Sequence, residues 1–231
     1  MQTKEDIQKL YEEALESFVD KVKKDRNIIA AVLYGSLSYD EVWEKSDIDV
    51  WLIAREGKRG GKWYCLVENG VNIHVEVIPR SQFKRMIEGS LQSSFTHSSF
   101  SKSKLLFSSD ETIKEWYQNV NHLGARDKEI QLLSAASWVL PSLTKAEKWF
   151  YVKKDLDYSF LWIMYSINGL ATIEALMNDE VTGRDVIHQA FKYNPAFFNA
   201  IYTDLINQKK DEKIIQKALQ MINDYLDDKI F

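Results

Sequence analysis

The stretch that most restricts how this chain can fold is residues 33 to 53, LYGSLSYDEVWEKSDIDVWLI. The run Ile28 to Tyr34 is rich in β-branched and apolar residues, which predicts a buried strand, and Gly35-Ser36 stops it. A short polar segment then leads to Asp47-Ile48-Asp49 and directly into a second apolar run, Val50 to Ala54. In an extended chain alternate residues share a face, so Asp47 and Asp49 present two carboxylates to one side while Ile48 and Val50 enter a core. Such a pair can hold a divalent cation and leave most of its shell to water and phosphate oxygens. Gly35 would let backbone approach a phosphate closely, and Ser36 adds a hydroxyl and an N–H. A helix beginning near Ser38 would aim its positive end at the same anion.

Gly-Ser, ten residues, then Asp-apolar-Asp leading into a strand resembles the polymerase-beta-like nucleotidyltransferase superfamily. The resemblance implies a third carboxylate on a later strand. Trp63 to Val67 and Val71 to Ile78 read as two strands joined at Glu68-Asn69-Gly70, and Asn-Gly between such runs is a strong hairpin signal. In the second strand Val71, Ile73, Val75 and Val77 alternate with Asn72, His74 and Glu76, so Glu76 is expected on the polar side as the third acid. His74 shares that side. It is either a positioning group for substrate or metal-bound water, or a partly exposed strand histidine with no ligand role. An ordinary turn, a solvated strand edge and the wet face of a hairpin are the competing explanations for these parts taken singly.

The resemblance implies Mg²⁺-dependent transfer of a nucleoside monophosphate from an NTP to an acceptor hydroxyl. Asp47 and Asp49 would hold the metal, two ions in this family, and Glu76 would complete the metal site and help activate the hydroxyl. Gly35 and Ser36 would cradle the nucleotide's phosphates.

The rest of the chain is consistent with an α+β protein in two parts: a mixed-sheet catalytic domain over 1–125 and an all-α bundle over 126–231. At 231 residues the chain is long enough for either one large core or two small ones. A net charge of −4 argues against a generic nucleic-acid surface. The single cysteine, Cys65, excludes an internal disulfide and reads as a small buried residue in a strand. No uninterrupted apolar span or signal segment is evident, so a cytoplasmic enzyme without a membrane anchor is expected.

Residues 3 to 25 predict an amphipathic helix capped by Thr3, whose basic end, Lys21 to Arg26, is either a solvated terminus or a phosphate contact. The loop Arg55 to Gly61 is basic and glycine-punctuated, either a grip for the triphosphate or a solvated connection. Pro79 ends a strand and Ser81 is a candidate cap for the next helix; residues 89 to 104, rich in serine, carry the weakest pattern.

Beyond residue 125 the pattern is helical, with Pro141 predicting a kink or break, residues 155 to 177 apolar nearly all round, and caps at Thr182, Asn194 and Asp211. Five helices are expected, and the aromatic residues Trp138, Trp149, Tyr151, Tyr158, Trp162, Tyr165 and Tyr193 are either stacking groups for a base or acceptor ring or, for most of them, core. This plan resembles the small-molecule nucleotidyltransferases that modify aminoglycoside and lincosamide antibiotics, which implies a small hydroxyl acceptor and, by resemblance alone, a homodimer. In the aminoglycoside enzymes an acid of the helical domain acts as base; Asp155 and Asp157 are the candidates here, although either is also an ordinary helix-start acid. A protein or RNA acceptor, or a nucleotide- or partner-binding protein without turnover, remain the alternatives.

Overall fold

Strand β1 (Ile28–Tyr34) is buried along its five central residues, as its apolar, β-branched composition requires. The computed structural model describes residues 3–56, 62–91, 94–119 and 125–229. These fall into two compact units, residues 1–123 and 124–231. In the first unit β1 pairs antiparallel with β2 (Ile48–Ala54) on one side and with β5 (Lys104–Ser108) on the other. The hairpin β3 (Lys62–Glu68) and β4 (Val71–Pro79) completes a five-stranded mixed sheet in the order β3-β4-β2-β1-β5, with β4 parallel to β2. Asn69 and Gly70 both adopt positive φ, 50° and 80°, as a tight hairpin turn at Asn-Gly demands.

Each sheet face has its own core. Helix α1 (Lys4–Val22) opens with a capping box in which Thr3 and Asp6 satisfy each other's backbone N–H groups. Its Tyr11, Leu15, Phe18 and Val19 pack on Leu33, Ile48, Val50, Ile73 and Val75. The opposite face carries Val32, Trp51, Ile53 and Ile78 under Phe83 and Ile87 of α2 (Arg80–Ser90), Phe100 of α3 (Ser94–Ser101) and Ile113 of α4 (Glu111–Asn119). The serine-rich stretch expected to lack structure is therefore helical over most of its length. What orders it is burial: Phe100 is 1% exposed and stacks 4.7 Å from Trp51, and His97 is buried as well. Ser81 does not cap α2. The helix starts after Pro79, and the Ser81 N–H and hydroxyl both donate to the Glu56 carboxylate. Cys65 is exposed, because β3 is an edge strand with little packed on either face.

An ion pair ties α2 to the start of α4. The Arg80 guanidinium donates to Asp110 Oδ2 at 2.6 Å and lies 4.6 Å from the Trp116 ring, while Asp110 also accepts from Thr112. Arg80 first, then Thr112, hold the Asp110 carboxyl at about 2. A depressed carboxyl stabilises the fold above its unfolded value and ceases to do so as pH falls through about 2. Asp110→Asn is thus expected to cost about 1–2 kcal/mol at pH 7, reduced from the full linkage value by partial solvent exposure. At the acid end of that window the difference from the parent should vanish, as urea titrations at the two pH values would show.

The second unit is built on α5 (Ala125–Glu147) and α6 (Leu156–Met177). Ala135, Val139, Leu143, Ala146 and Phe150 form the inner stripe of α5 and its extension, packing on Ile163, Ile167, Leu170 and Ile173. Pro141 does not break α5: it sits on the exposed side, where the missing N–H leaves a carbonyl to water. The helix instead widens into a π-helical turn at Lys148–Val152 before Asp155 caps α6.

Helix α6 is long and apolar enough to cross a bilayer by length and composition, yet 56% of its most apolar window is buried within the protein. That burial is the mark of a core helix. Its Gly169 admits a close crossing, since a Cβ there would lie 2.5 Å from Val139 Cγ2. Gly169→Ala should therefore destabilise by about 1–2 kcal/mol, overpacking outweighing the helix-propensity gain, and a thermal melt would read it.

Helix α7 (Val186–Tyr193) begins at Asp185, not at Thr182, which is buried. Asn194 and Pro195 start the next helical stretch, Pro195–Phe198, which runs on through a π-helical Asn199–Asp204 to Leu205–Asn207. Asp211 accepts from the Ile214 N–H at the head of Glu212–Lys229. Of the aromatic residues expected in this core, Trp138, Tyr151, Tyr158, Tyr165 and Tyr193 are exposed, Trp138 by 77%. Helical spacing alone does not tell the inner stripe from the outer one.

Candidate metal centre

Asp49 occupies the second position of β2, and the register places it opposite Tyr34 of β1 and His74 of β4. Paired residues in a sheet project to the same side, so Asp49 and His74 stand next to each other, with Asp47 just ahead of the strand. His74 Nδ1 lies 2.9 Å from Asp47 Oδ2 and 3.7 Å from Asp49 Oδ1. One ligand atom from each of the three falls within 4.8 Å of the others. All three side chains are partly exposed, Asp49 the least at 24%. An ion held here would therefore keep open positions for water or substrate oxygens.

The supports of this cluster are traceable. Tyr11, buried on α1, donates its hydroxyl to the Ser46 carbonyl at 2.6 Å and so fixes the approach to Asp47. Burial, then the Asp47 charge, push the Tyr11 hydroxyl's pKa up, keeping it a donor. Gly35 follows β1 at φ 76° and ψ −164°, a conformation open to glycine. Its missing side chain matters as much, because a Cβ would meet Asp49 Oδ2 at 2.4 Å. Ser36–Tyr39 is a short 3₁₀ turn instead of a helix starting near Ser38. Ser38 contributes its N–H and hydroxyl to the Gly35 carbonyl, at 3.0 and 2.7 Å, which pins the corner.

The sequence between α1 and α4 has a recognisable counterpart. Residues 16–112 match the family model described as polymerase beta, nucleotidyltransferase. The first unit belongs to the polymerase-beta-like nucleotidyltransferases. A solved structure of a nucleotidyltransferase-like protein from Exiguobacterium sibiricum 255-15 is similar to the chain over 94% of its length and 75% of the other, with a TM-score of 0.66 and 12% identity. That likeness concerns the fold. No curated protein matches the chain.

Nucleotidyltransferases of this family commonly use a divalent metal, and the donor set here fits one: two carboxylates and an imidazole nitrogen, mutually within bridging distance and open to solvent. Asp47 and Asp49 come together, and His74 joins them. Glu76 is on the same face but is not part of the cluster, since the register pairs it with Trp51, one step further along the strands from the Asp49–His74 pair. Burial raises the Glu76 carboxyl's pKa, against a smaller lowering by a hydrogen bond with Trp51. Alternation identifies the face of a strand; only the register gives the level, and at the level of Asp49 the side chain is an imidazole.

Other sequence candidates lie elsewhere. Arg55 follows the far end of β2, and its Nε donates to the Arg26 carbonyl at 3.1 Å. Six steps along the chain, about 20 Å, separate it from Asp49. The remaining basic loop residues, 57–61, fall outside the described residues. A cavity of about 800 Å³ also lies at that far end, between Lys21 and Val22 of α1 and Leu52, Tyr64 and Val77 of the sheet, and no member of the cluster lines it. Lys21 itself, at the basic end of α1, is engaged with Glu68 at 2.6 Å. In the second unit Asp155 accepts the Tyr158 N–H at 2.9 Å as the α6 cap, and Asp157 is an exposed acid in the first turn.

Proposed function

We propose that the chain transfers a nucleoside monophosphate from an NTP to a hydroxyl of a small molecule in the cytoplasm, releasing pyrophosphate. The observation that carries this reading is the Asp47/Asp49/His74 cluster set against the Gly35-Ser36 corner inside a nucleotidyltransferase domain. A divalent ion, Mg²⁺ when it arrives with the nucleotide, would be held by Asp47, Asp49 and His74; bound there it neutralises phosphate charge and polarises the reacting phosphoryl group. The Ser36 N–H and hydroxyl would bind phosphate oxygens, and Gly35 keeps that corner free of side chain.

The acceptor oxygen attacks the α-phosphorus, the bond from that phosphorus to the bridging oxygen breaks, and pyrophosphate departs. Glu76 is assigned the acceptor's proton. Its raised carboxyl makes it a better base than an ordinary carboxylate, and it shares the face of Asp49 and His74.

The test is a calorimetric titration with ATP, GTP, CTP and UTP, followed by pyrophosphate release against a panel of aminoglycosides, lincosamides and simpler polyols. One NTP should bind in the presence of divalent metal and at least one acceptor should release pyrophosphate. Binding of no NTP would overturn the reading. Binding with transfer to a protein or RNA in place of any small molecule would overturn the acceptor class alone.

A further inference from the structure

We propose that the Asp47/Asp49/His74 centre selects a first-row transition ion, with Mn²⁺ as its representative, over Mg²⁺. The inference rests on the reading of this cluster as the metal centre of the transferase and goes beyond it to the identity of the ion. Three features carry it.

The first is the composition of the ligand set. Where three carboxylates would offer a charge of −3 and oxygen donors only, this set offers −2 and one nitrogen. Mg²⁺ sheds water reluctantly and takes oxygen ligands, so replacing a carboxylate by an imidazole weakens its hold. Ions of the transition series accept mixed nitrogen and oxygen donors, and bind them more tightly as the series proceeds from Mn²⁺.

The second is that His74 is placed by backbone and not by a flexible loop. β4 is an inner strand, paired on one side with β3 and on the other with β2, and the register sets His74 directly opposite Asp49. Its Nδ1, the ring nitrogen nearest the main chain, is the one turned toward both carboxylates. The third is that Glu76, the other acid on this face of β4, is not among the clustered ligands and stands at the level of Trp51, which is packed between Tyr34, 4.0 Å away, and Phe100.

The experiment measures ion binding by the full chain without nucleotide, so that no turnover enters the readout. Mn²⁺ is titrated and followed by the electron paramagnetic resonance of the free ion, then displaced with Mg²⁺. The parent chain should bind Mn²⁺ at least about tenfold tighter than Mg²⁺. His74→Asp should bring the two affinities to within about threefold, and His74→Gln, which preserves size but offers a poor ligand, should weaken Mn²⁺ about tenfold or more. Thermal melts of each variant confirm that it is folded.

An unchanged Mn²⁺-to-Mg²⁺ ratio in His74→Asp would overturn the selectivity proposal. Asp49→Asn separates this from failure of the centre itself: it should remove binding of both ions, and if it leaves both unchanged the cluster is not a metal site and the proposed function loses its foundation with it.

Discussion

Asp49→Asn is expected to lower nucleotidyl transfer by about a thousandfold or more while shifting the melting temperature by no more than about two degrees. Asparagine keeps the size and the pairing of the side chain but gives up the charge that binds a cation and, through it, a triphosphate. The fold loses little, because Asp49 lies at the open start of β2 and not in either core. Asp47→Asn should act in the same direction. Pyrophosphate release at saturating NTP, with a circular-dichroism melt alongside, reads both halves, and retention of more than about a third of the parent's rate would contradict the assignment.

Gly35→Ala should be almost as damaging to turnover, about a hundredfold, and unlike Asp49→Asn it should also cost stability. A methyl group at this position meets Asp49 Oδ2 at 2.4 Å, and the carboxylate must swing away from its place beside His74. Displacements of this size at a reacting centre commonly cost about two orders of magnitude in rate. The backbone adds its own strain, since φ is 76°, worth about 1–2 kcal/mol for a residue with a side chain. Gly70→Ala is the control. It carries the same positive φ, 80°, but a Cβ there meets nothing within 4 Å, so it should cost similar stability and leave turnover at the parent level.

The contrast between these two glycines also shows what the sequence makes legible. Local chemistry writes itself into adjacent residues: Thr3 with Asp6 closes a capping box, Asn69-Gly70 closes a hairpin, and the apolar runs on either side of Gly35 and Asp49 become β1 and β2. Asp47 and Asp49 were visible because they lie two residues apart on one strand. The level of β4 against β2 was not, because that pairing joins residues some twenty-five apart through a parallel register, and nothing in the alternation of Val71 to Ile78 says whether His74 or Glu76 faces Asp49.

The same limit explains the helices. Residues 94–101 are helical because Phe100 and His97 find burial beneath the sheet, a tertiary effect that overrides their serine-rich composition. In the second unit the caps at Asn194 and Asp211 are readable as local signals, whereas Thr182 is buried and caps nothing there. Which side of α5 carries its aromatic residues was not, for Trp138 belongs to the solvent side that begins only one residue from buried Val139.

The most direct test is anomalous diffraction from crystals grown with Mn²⁺ and a non-hydrolysable NTP. An anomalous peak within ligand distance of Asp47, Asp49 and His74 Nδ1, with the nucleotide's phosphates reaching the Gly35-Ser36 corner, is the expected result. A peak ligated by Glu76 in place of His74, or phosphates seated away from Asp49, would contradict the account.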